Sequence, residues 1–428
     1  MFYFIYNLLL LVLAPCIICY HWYRSYSRKR PAAFSERFVI TLPQGLPEDT
    51  RPRIWIHAVS VGEVIASRPL LLALRLEYPG HCLIMTTMTE TGRSVAASYP
   101  VDALYYIPFD FTWSVRRFIT AINPNLVIIM ETELWPNLNR ELLSRAIPLV
   151  LANGRISDNS FAGYRRLRWF FTHALAPFSR ICVQTVQDAE RFIAIGGAEH
   201  TVVVTGNLKY DIPYGKTSAE QRHDLRARFG LADASCIVTA GSTHAGEEQL
   251  VLEAFEQCRR IGKAVQLVLV PRHPERIESV VSVISEAGFR AVRRSQLDSE
   301  AVLLNDTDVL VVDTVGELMD FYRLADLAIV GGSLVAHGGH NILEPIAVGV
   351  CVVFGQHMEN FREVAALARH YQAGEQVTVD TLAETVCHLV ADRSLRDRVA
   401  AQGLYLMEQQ GGAVTRHLSE IRSVYRSS

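Results

Sequence analysis

Three groups of residues in this 428-residue chain combine types and spacings that can do chemistry. The first is His57-Ala58-Val59-Ser60-Val61-Gly62-Glu63, an apolar run that ends in a glycine and a carboxylate. Gly62 permits a tight backbone approach, and Glu63 falls at or near a helix start. Two roles are open to a carboxylate there: a general base whose pKa is tuned by its surroundings, or a charge that complements the helix dipole. The second group is Met130-Glu131-Thr132-Glu133-Leu134-Trp135-Pro136-Asn137, two carboxylates directly after an apolar strand. One suits orienting an acceptor hydroxyl or a basic partner and the other a helix N-terminus, and spacing does not decide which is which. The third runs from Leu327 to Pro345: an apolar strand, a loop with Gly331, Gly332, Gly338 and Gly339, and the first turn of a helix containing Glu344. Such a loop brings backbone amides close to a ligand, and a following helix start suits a phosphate. Glu344 suits ribose hydroxyls. The plainer alternative is a strand-to-helix turn with Glu344 set on the helix dipole.

Other strand-like runs also end in donors. Gly206-Asn207-Leu208-Lys209 offers a lysine, Ser242-Thr243-His244-Ala245-Gly246-Glu247 paired hydroxyls, and Pro271-Arg272-His273-Pro274-Glu275-Arg276 an arginine. Several such clusters converging on one crevice are hard to explain by packing. Arg93 and Arg155 follow strand-like runs of the first half. Arg165, Arg166 and Arg168, interleaved with Tyr164, Leu167, Trp169 and Phe170, suit a membrane interface or a solvated helix face. Rival phosphate motifs fail: there is no G-x-G-x-x-G in the glycine segment, and Gly215-Lys216-Thr217 has Tyr210 where a P-loop needs its first glycine. Asp306-Thr307-Asp308 precedes its apolar strand instead of following it, which reads as a solvated turn and implies no metal.

The elements that must position these residues are strands alternating with helical patterns. Apolar runs at Ile54–Val59, Cys82–Thr86, Leu126–Met130, Leu149–Ala152, Ile181–Gln184 and Thr201–Thr205 form one series. Cys236–Ala240, Val265–Val270, Val309–Val312, Leu327–Val330 and Val350–Phe354 form a second. Continuous apolar strands of this kind imply parallel sheets covered on both faces. The expected architecture is therefore α/β, two doubly wound domains with a cleft between them and ligands outside the carboxyl ends of the strands. The expected limits are a membrane anchor over 1–22, a first domain over 35–207, a second over 208–405 and a terminal helix over 406–428. The polar stretch Tyr210–Arg228 is the linker.

Met1–Tyr20 is almost continuously apolar, interrupted by Asn7 and Pro15, and is long enough to cross a bilayer. No basic residue precedes it and Arg24, Arg28, Lys29 and Arg30 follow, the pattern of an uncleaved anchor with a cytoplasmic body. Charge is uneven: residues 1–210 carry 21 Lys and Arg against 15 Asp and Glu, and the remainder 21 against 29. A basic half next to a membrane segment points to an anionic membrane surface or lipid. Nucleic acid is excluded as a partner by the absence of a recognisable binding module or a long basic run. The eight cysteines are scattered, several in apolar runs, as in a reducing compartment.

Taken together, these motifs resemble the 3-deoxy-D-manno-octulosonic acid (Kdo) transferases of lipopolysaccharide synthesis. The resemblance lies in Ser60-Val61-Gly62-Glu63, Thr86-x-x-Thr89-x-Thr91-Gly92, Met130–Asn137, Gly206–Lys209, Ser242–Glu247, Pro271–Arg276 and the run from Gly331-Gly332-Ser333 through His337-Gly338-Gly339-His340-Asn341 to Glu344-Pro345. It spans nearly the whole chain. Ile342 and Gln356 stand where relatives often have proline, and Ser35–Thr41 lacks the usual basic start of the first domain. The resemblance implies a GT-B fold of two Rossmann-like domains, acceptor binding for the first and CMP-sugar binding for the second, with CMP-Kdo as donor and a lipid A precursor (lipid IVA) as acceptor. It implies inversion at the anomeric carbon without a metal or cofactor, at the cytoplasmic leaflet of a bacterial inner membrane. It makes Glu63 the general base, with Glu131 and Glu133 on the acceptor side or supporting that base. Lys209, Ser242, Thr243, Arg272 and His273, with Gly331, Gly332, Ser333, Gly338 and Gly339, then surround the donor's phosphate and sugar acid, and Asn341 and Glu344 face the ribose. Arg93, Arg155, Arg165, Arg166 and Arg168 go with the acceptor or membrane. Oligomeric state and the number of Kdo units added are left open. Two other functions are compatible with such a chain: a sugar-nucleotide epimerase on the same fold, which needs no anchor, and a non-catalytic membrane-tethered lipid-binding protein, which has no use for Glu63 beside a nucleotide cluster.

Overall fold

Apolar runs without polar alternation need cover on both faces, and in the computed structural model they are the inner strands of two parallel sheets. The structure describes residues 2–28, 33–47, 50–212, 215–233, 235–297, 304–305 and 307–426. Lys29 and Arg30 of the basic run and Asp306 of the D-x-D pair lie outside these residues. The chain divides into two compact units, Met1–Asp211 with Gln410–Ser428, and Ile212–Gln409.

The first unit contains β1 (Arg53–His57), β2 (Cys82–Thr87), β3 (Ala103–Tyr106), β4 (Leu126–Met130), β5 (Leu149–Gly154), β6 (Arg180–Val183) and β7 (Val202–Val204). Their order is β3-β2-β1-β4-β5-β6-β7, parallel throughout. Succession runs outward from β1 to one edge and then from β4 to the other, so the switch in direction lies between β1 and β4. His57 of β1 pairs with Ile129 of β4, so the two strands end side by side. Trp55, Phe118, Val127 and Leu149 fill one face, and Ile54, Ile56, Leu126 and Val150 the other. Ala413 and Ile421 of the helix Ala413–Val424 belong to that second cluster, so the end of the chain returns to cover the first sheet.

The N-terminal helix, Phe2–Arg28, carries an apolar stretch over Phe2–Tyr20 long enough to cross a membrane. Its first turns are tied to the first unit. Tyr6 donates to Asp110 at 2.8 Å, and the amides of Asn7 and Asn137 exchange hydrogen bonds at 3.0 and 2.8 Å. Phe2 is buried against Phe170 and His173, with ring centroids 5.3 and 4.9 Å away. Asn7, which interrupts the apolar run, is thus a docking residue.

The second unit contains β8 (Cys236–Thr243), β9 (Val265–Pro271), β10 (Arg290–Arg293), β11 (Asp308–Val311), β12 (Leu327–Val330), β13 (Cys351–Phe354) and β14 (Glu375–Gln376). The order is β10-β11-β9-β8-β12-β13-β14, and the switch lies between β8 and β12. The strands missing from the expected series, β3, β10 and β14, lie towards or at sheet edges. An edge strand pairs on one side only and needs no continuous apolar run; β10 reads Arg-Ala-Val-Arg and β14 only Glu-Gln.

Two candidate sites at the sheet switch points

Open parallel sheets bind ligands where strand order reverses, and each unit gathers its distinctive side chains there. In the first, Ser60 caps the helix Val61–Glu77 by accepting the Glu63 amide. The Glu63 carboxylate answers with a local hold: it accepts the Val59 amide at 2.8 Å and the Ser60 hydroxyl at 2.9 Å. This is close to a capping box, and it fixes the side chain while leaving lone pairs for a substrate proton. Glu63 is buried. Burial pushes its pKa up to about 7, against the pull of the Val59 amide, and the charge of Glu131 adds to the rise.

Glu131 follows β4 in the left-handed region at φ 53, uncommon for a residue with a Cβ, with its amide held by the Ala152 carbonyl at 2.8 Å. Glu133 is half-buried. Burial, then the charges of Glu63 and Glu131, push it up to about 7. The structure therefore brings Glu63, Glu131 and Glu133 together, and like charges in partial burial hold two of them near neutrality.

The arginines of this unit divide. The Arg155 amide donates to the Thr132 hydroxyl at 3.3 Å, and that hydroxyl donates to the Arg155 carbonyl, so Arg155 is tied to the Glu131–Glu133 segment. Arg93, expected on the acceptor side, instead grips both oxygens of Glu36 at 3.1 Å and lies over the Tyr106 ring. It joins two parts of the fold. Arg165, Arg166 and Arg168 are exposed, alongside exposed Leu167 and Trp169. Lys209, expected with the second domain, sits in the turn Leu208–Tyr210 of the first unit.

In the second unit β8 ends in a bulge, with Ser242 at φ 57. Gly331, at the end of β12, fits against it because a Cβ there would lie 2.4 Å from the Ser242 carbonyl oxygen. The Arg272 amide donates to the Thr243 carbonyl at 3.0 Å, which brings the β9 end alongside. Arg272 and His273 are exposed at this rim.

Several expected donors serve the fold. The Gly331 amide donates to the Gly241 carbonyl at 2.8 Å. Buried Glu247 accepts the amides of Gly332, Leu334 and His244 at 2.7, 2.9 and 2.8 Å. Ser333 is buried, donating to the Val330 carbonyl and accepting the Gly355 amide. The Thr243 hydroxyl donates to Glu248, which Arg276 clamps at 2.9 and 3.1 Å. Gly339 at φ 74 is required by close packing, since a Cβ would meet the His357 carbonyl at 2.9 Å. The helix after the loop, Leu343–Ala347, has only five residues, too short for much of a dipole. Asn341 caps it by accepting the Leu343 amide at 3.2 Å, and its side chain approaches Glu344 at 3.5 Å. Gly338 sits at φ 86 where a Cβ would meet the Asn360 amide.

Sequence reasoning named His273 but missed that it stands in a group of imidazoles. His244 stacks on His337 with centroids 4.2 Å apart, lies 5.7 Å from His273, and meets His340 with the two Nε2 atoms at 2.9 Å. One of that last pair donates and the other accepts, so at least one ring is neutral. Burial pushes both down to about 4; the other imidazoles and Arg276 and Arg272 add to this for His244, and Arg272 then the imidazoles for His340. The signal was available: His244, His273, His337 and His340 each fall within two residues of a glycine, serine or arginine already singled out, but contact between them depends on three different strand ends. Among the described residues no group of three or more His, Cys, Asp or Glu side chains is arranged to hold a metal ion.

Comparison with known proteins identifies the family. Residues 32–212 match the family model described as 3-deoxy-D-manno-octulosonic-acid transferase (kdotransferase), and residues 249–404 match glycosyl transferases group 1. The chain is 35% identical over 426 residues to the 3-deoxy-D-manno-octulosonic acid transferase of Haemophilus influenzae, covering 98% of each. It is 32% identical to that of Bordetella pertussis, covering 84% of this chain and 85% of the relative. Among solved structures it is similar in fold to the UDP-GlcNAc 2-epimerase of Neisseria meningitidis, at 12% identity and a TM-score of 0.53, over 87% of this chain and all of that one. A glycosyltransferase of Rickettsia africae gives 11% and 0.52, over 89% of this chain and all of that one.

Proposed function

The chain belongs to the 3-deoxy-D-manno-octulosonic acid transferases, GT-B glycosyltransferases that move Kdo, and from that premise we propose how its two sites divide the reaction. The donor is CMP-Kdo, held by the second unit, and the acceptor is a lipid A precursor, whose hydroxyl is deprotonated by Glu63 of the first. The acceptor oxygen attacks the anomeric carbon of Kdo as the bond from that carbon to the CMP phosphate oxygen breaks. CMP leaves with the bonding electrons, the proton passes to Glu63, and the configuration inverts. Neither a covalent intermediate nor a metal is needed, because a phosphate already leaves well and Arg272 and the His244–His340 pair stand where its growing charge is offset. Ser242, Asn341 and Glu344 of the second unit are assigned to the donor. Burial, with the charge of Glu131, holds the pKa of Glu63 near 7, and Glu131 and Glu133, with Arg155 beside them, are assigned to the acceptor side. The apolar stretch Phe2–Tyr20 and the exposed Arg165, Arg166, Arg168 and Trp169 keep the enzyme at the cytoplasmic face of the inner membrane, where the anionic acceptor lies.

The observation that carries this reading is the buried Glu63, fixed by Val59 and Ser60 at the switch point with a pKa of about 7. A general base works best with a pKa near the working pH. Replacing Glu63 with alanine is expected to lower transfer by about 10²–10⁴-fold while CMP binds as before. Near-normal transfer by Glu63→Ala overturns the assignment. Chelator is expected to leave the rate unchanged.

A further inference from the structure

One cavity of about 420 Å³ lies within the first unit, between the N-terminal helix and the body. It falls in the size range of ligand pockets, about 300–1,000 Å³. Its helix wall is a stripe at three- and four-residue spacing, including Leu10, Leu13 and Ile17. The facing wall includes Met88, Phe109 and Trp135. Other apolar positions of the same helix, Leu8, Leu9, Leu11 and Val12, are more than half exposed. An apolar helix exposed on this side suits lipid, and with the helix read as the membrane anchor this cavity is lined by a segment in the hydrocarbon layer. Its occupant must be apolar and come from that layer.

The walls lead to the base. Met88 and Thr89 donate their amides to the Val59 carbonyl, and the Val59 amide is the one that holds Glu63. Trp135 lies two residues beyond Glu133, with its ring 6.1 Å from that of His57 at the end of β1. A lipid that presents a hydroxyl to Glu63 thus has an apolar slot beginning at the segments that position the carboxylate. We propose that this cavity takes an acyl chain of the acceptor lipid, so that the N-terminal helix is part of the acceptor site as well as a tether. The proposal rests on the reading of the acceptor as an acylated saccharide.

The test compares two acceptors on the full-length protein in detergent: the acylated precursor and the same phosphorylated disaccharide stripped of its chains. Leu10→Trp fills the cavity from the helix side. The expected result is a KM for the acylated acceptor raised about tenfold, the equivalent of roughly two buried methylenes, with the stripped acceptor turned over as by the parent protein. An unchanged KM for the acylated acceptor overturns the proposal. If the parent protein uses neither acceptor, it is the acceptor reading that fails. Should Leu10→Trp fail to fold, an acceptor carrying a diazirine at one acyl terminus is photolysed on the parent protein. Adducts at Leu10, Leu13, Ile17 or Met88 support the slot; adducts confined to Leu8, Leu11 and Val12 overturn it. Equal labelling of the slot by a diazirine phospholipid also overturns it, since the groove would then hold any membrane lipid.

Discussion

Both units place a Gly-Glu pair at the start of the helix that follows their first strand, Gly62-Glu63 after β1 and Gly246-Glu247 after β8. The two glutamates have opposite fates. Glu63 is held only by neighbours three and four residues away, Ser60 and Val59. Glu247 accepts one local amide, from His244, and two from the loop after β12, Gly332 and Leu334, which lie 85 and 87 residues along the chain. The first is left able to take a proton; the second is a clamp that shapes the loop. Their surroundings differ in sign as well. Beside burial, which raises Glu63 and Glu133 and lowers His244, neighbouring carboxylates add to the rise of the first two, while imidazoles and guanidinium groups add to the fall of His244. A shared fold and a shared local sequence thus support opposite electrostatics, because function resides in the side chains grafted on the switch point.

The comparison can be broken most directly by exchanging the expected phenotypes of the two glutamates. Glu63→Ala should remove transfer and leave the fold. Glu247→Gln, which leaves loop amides short of acceptors, should instead destabilise the second unit by roughly 2–4 kcal/mol, read as a lower denaturant midpoint. Loss of transfer at full stability in Glu247→Gln would show that it is no mere clamp. A smaller effect separates the arginines of the second site. Arg272→Ala should weaken CMP binding by about 10–100-fold, measured by calorimetry, whereas Arg276→Ala, which frees buried Glu248, should appear mainly as lost stability.

Titration sharpens the same contrast. With Glu63 at about 7, the rate should climb as pH rises through neutrality and level off above it. Glu131→Gln removes the carboxylate whose charge adds to the rise of the Glu63 pKa and should shift the climb in rate to lower pH, by about one unit or less. Stability moves the other way. Because burial raises the folded-state pKa of Glu63 from 4.5 to about 7, the stability contributed by its neutral form is full below pH 4.5 and is lost as pH rises through 7. Glu63→Gln should therefore be the more stable protein at pH 8, by roughly 1–3 kcal/mol, with the difference vanishing below pH 4.

Much of this was legible in the linear chain, and the limits have physical causes. β1, β4, β8 and β12 are fully enclosed parallel strands, and such strands announce themselves as unbroken apolar runs. The edge strands β10 (Arg-Ala-Val-Arg) and β14 (Glu-Gln) carry no such run and were missed, whereas the edge strand β7 (Val-Val-Val) does and was found; β3, Ala-Leu-Tyr-Tyr, was missed although it is apolar. Glu63 was legible because its hold is local. Thr243 was misassigned although its partner Glu248 is only five residues on. Ser333 and Arg93 were misassigned because their partners, Gly355 and Glu36, are brought in by tertiary contact across 22 and 57 residues. The same holds for Asn7, whose partner Asn137 is 130 residues away.

The sequence by itself therefore determined the two doubly wound sheets, the strand ends where polar side chains gather and the family, because periodicity, capping and motif spacing are local. Only the tertiary structure decided which loop amides were already occupied, which histidines met, and that the N-terminal helix walls a cavity. Those outcomes depend on hydrogen-bond partners and burial that distant segments supply, and no local pattern encodes them.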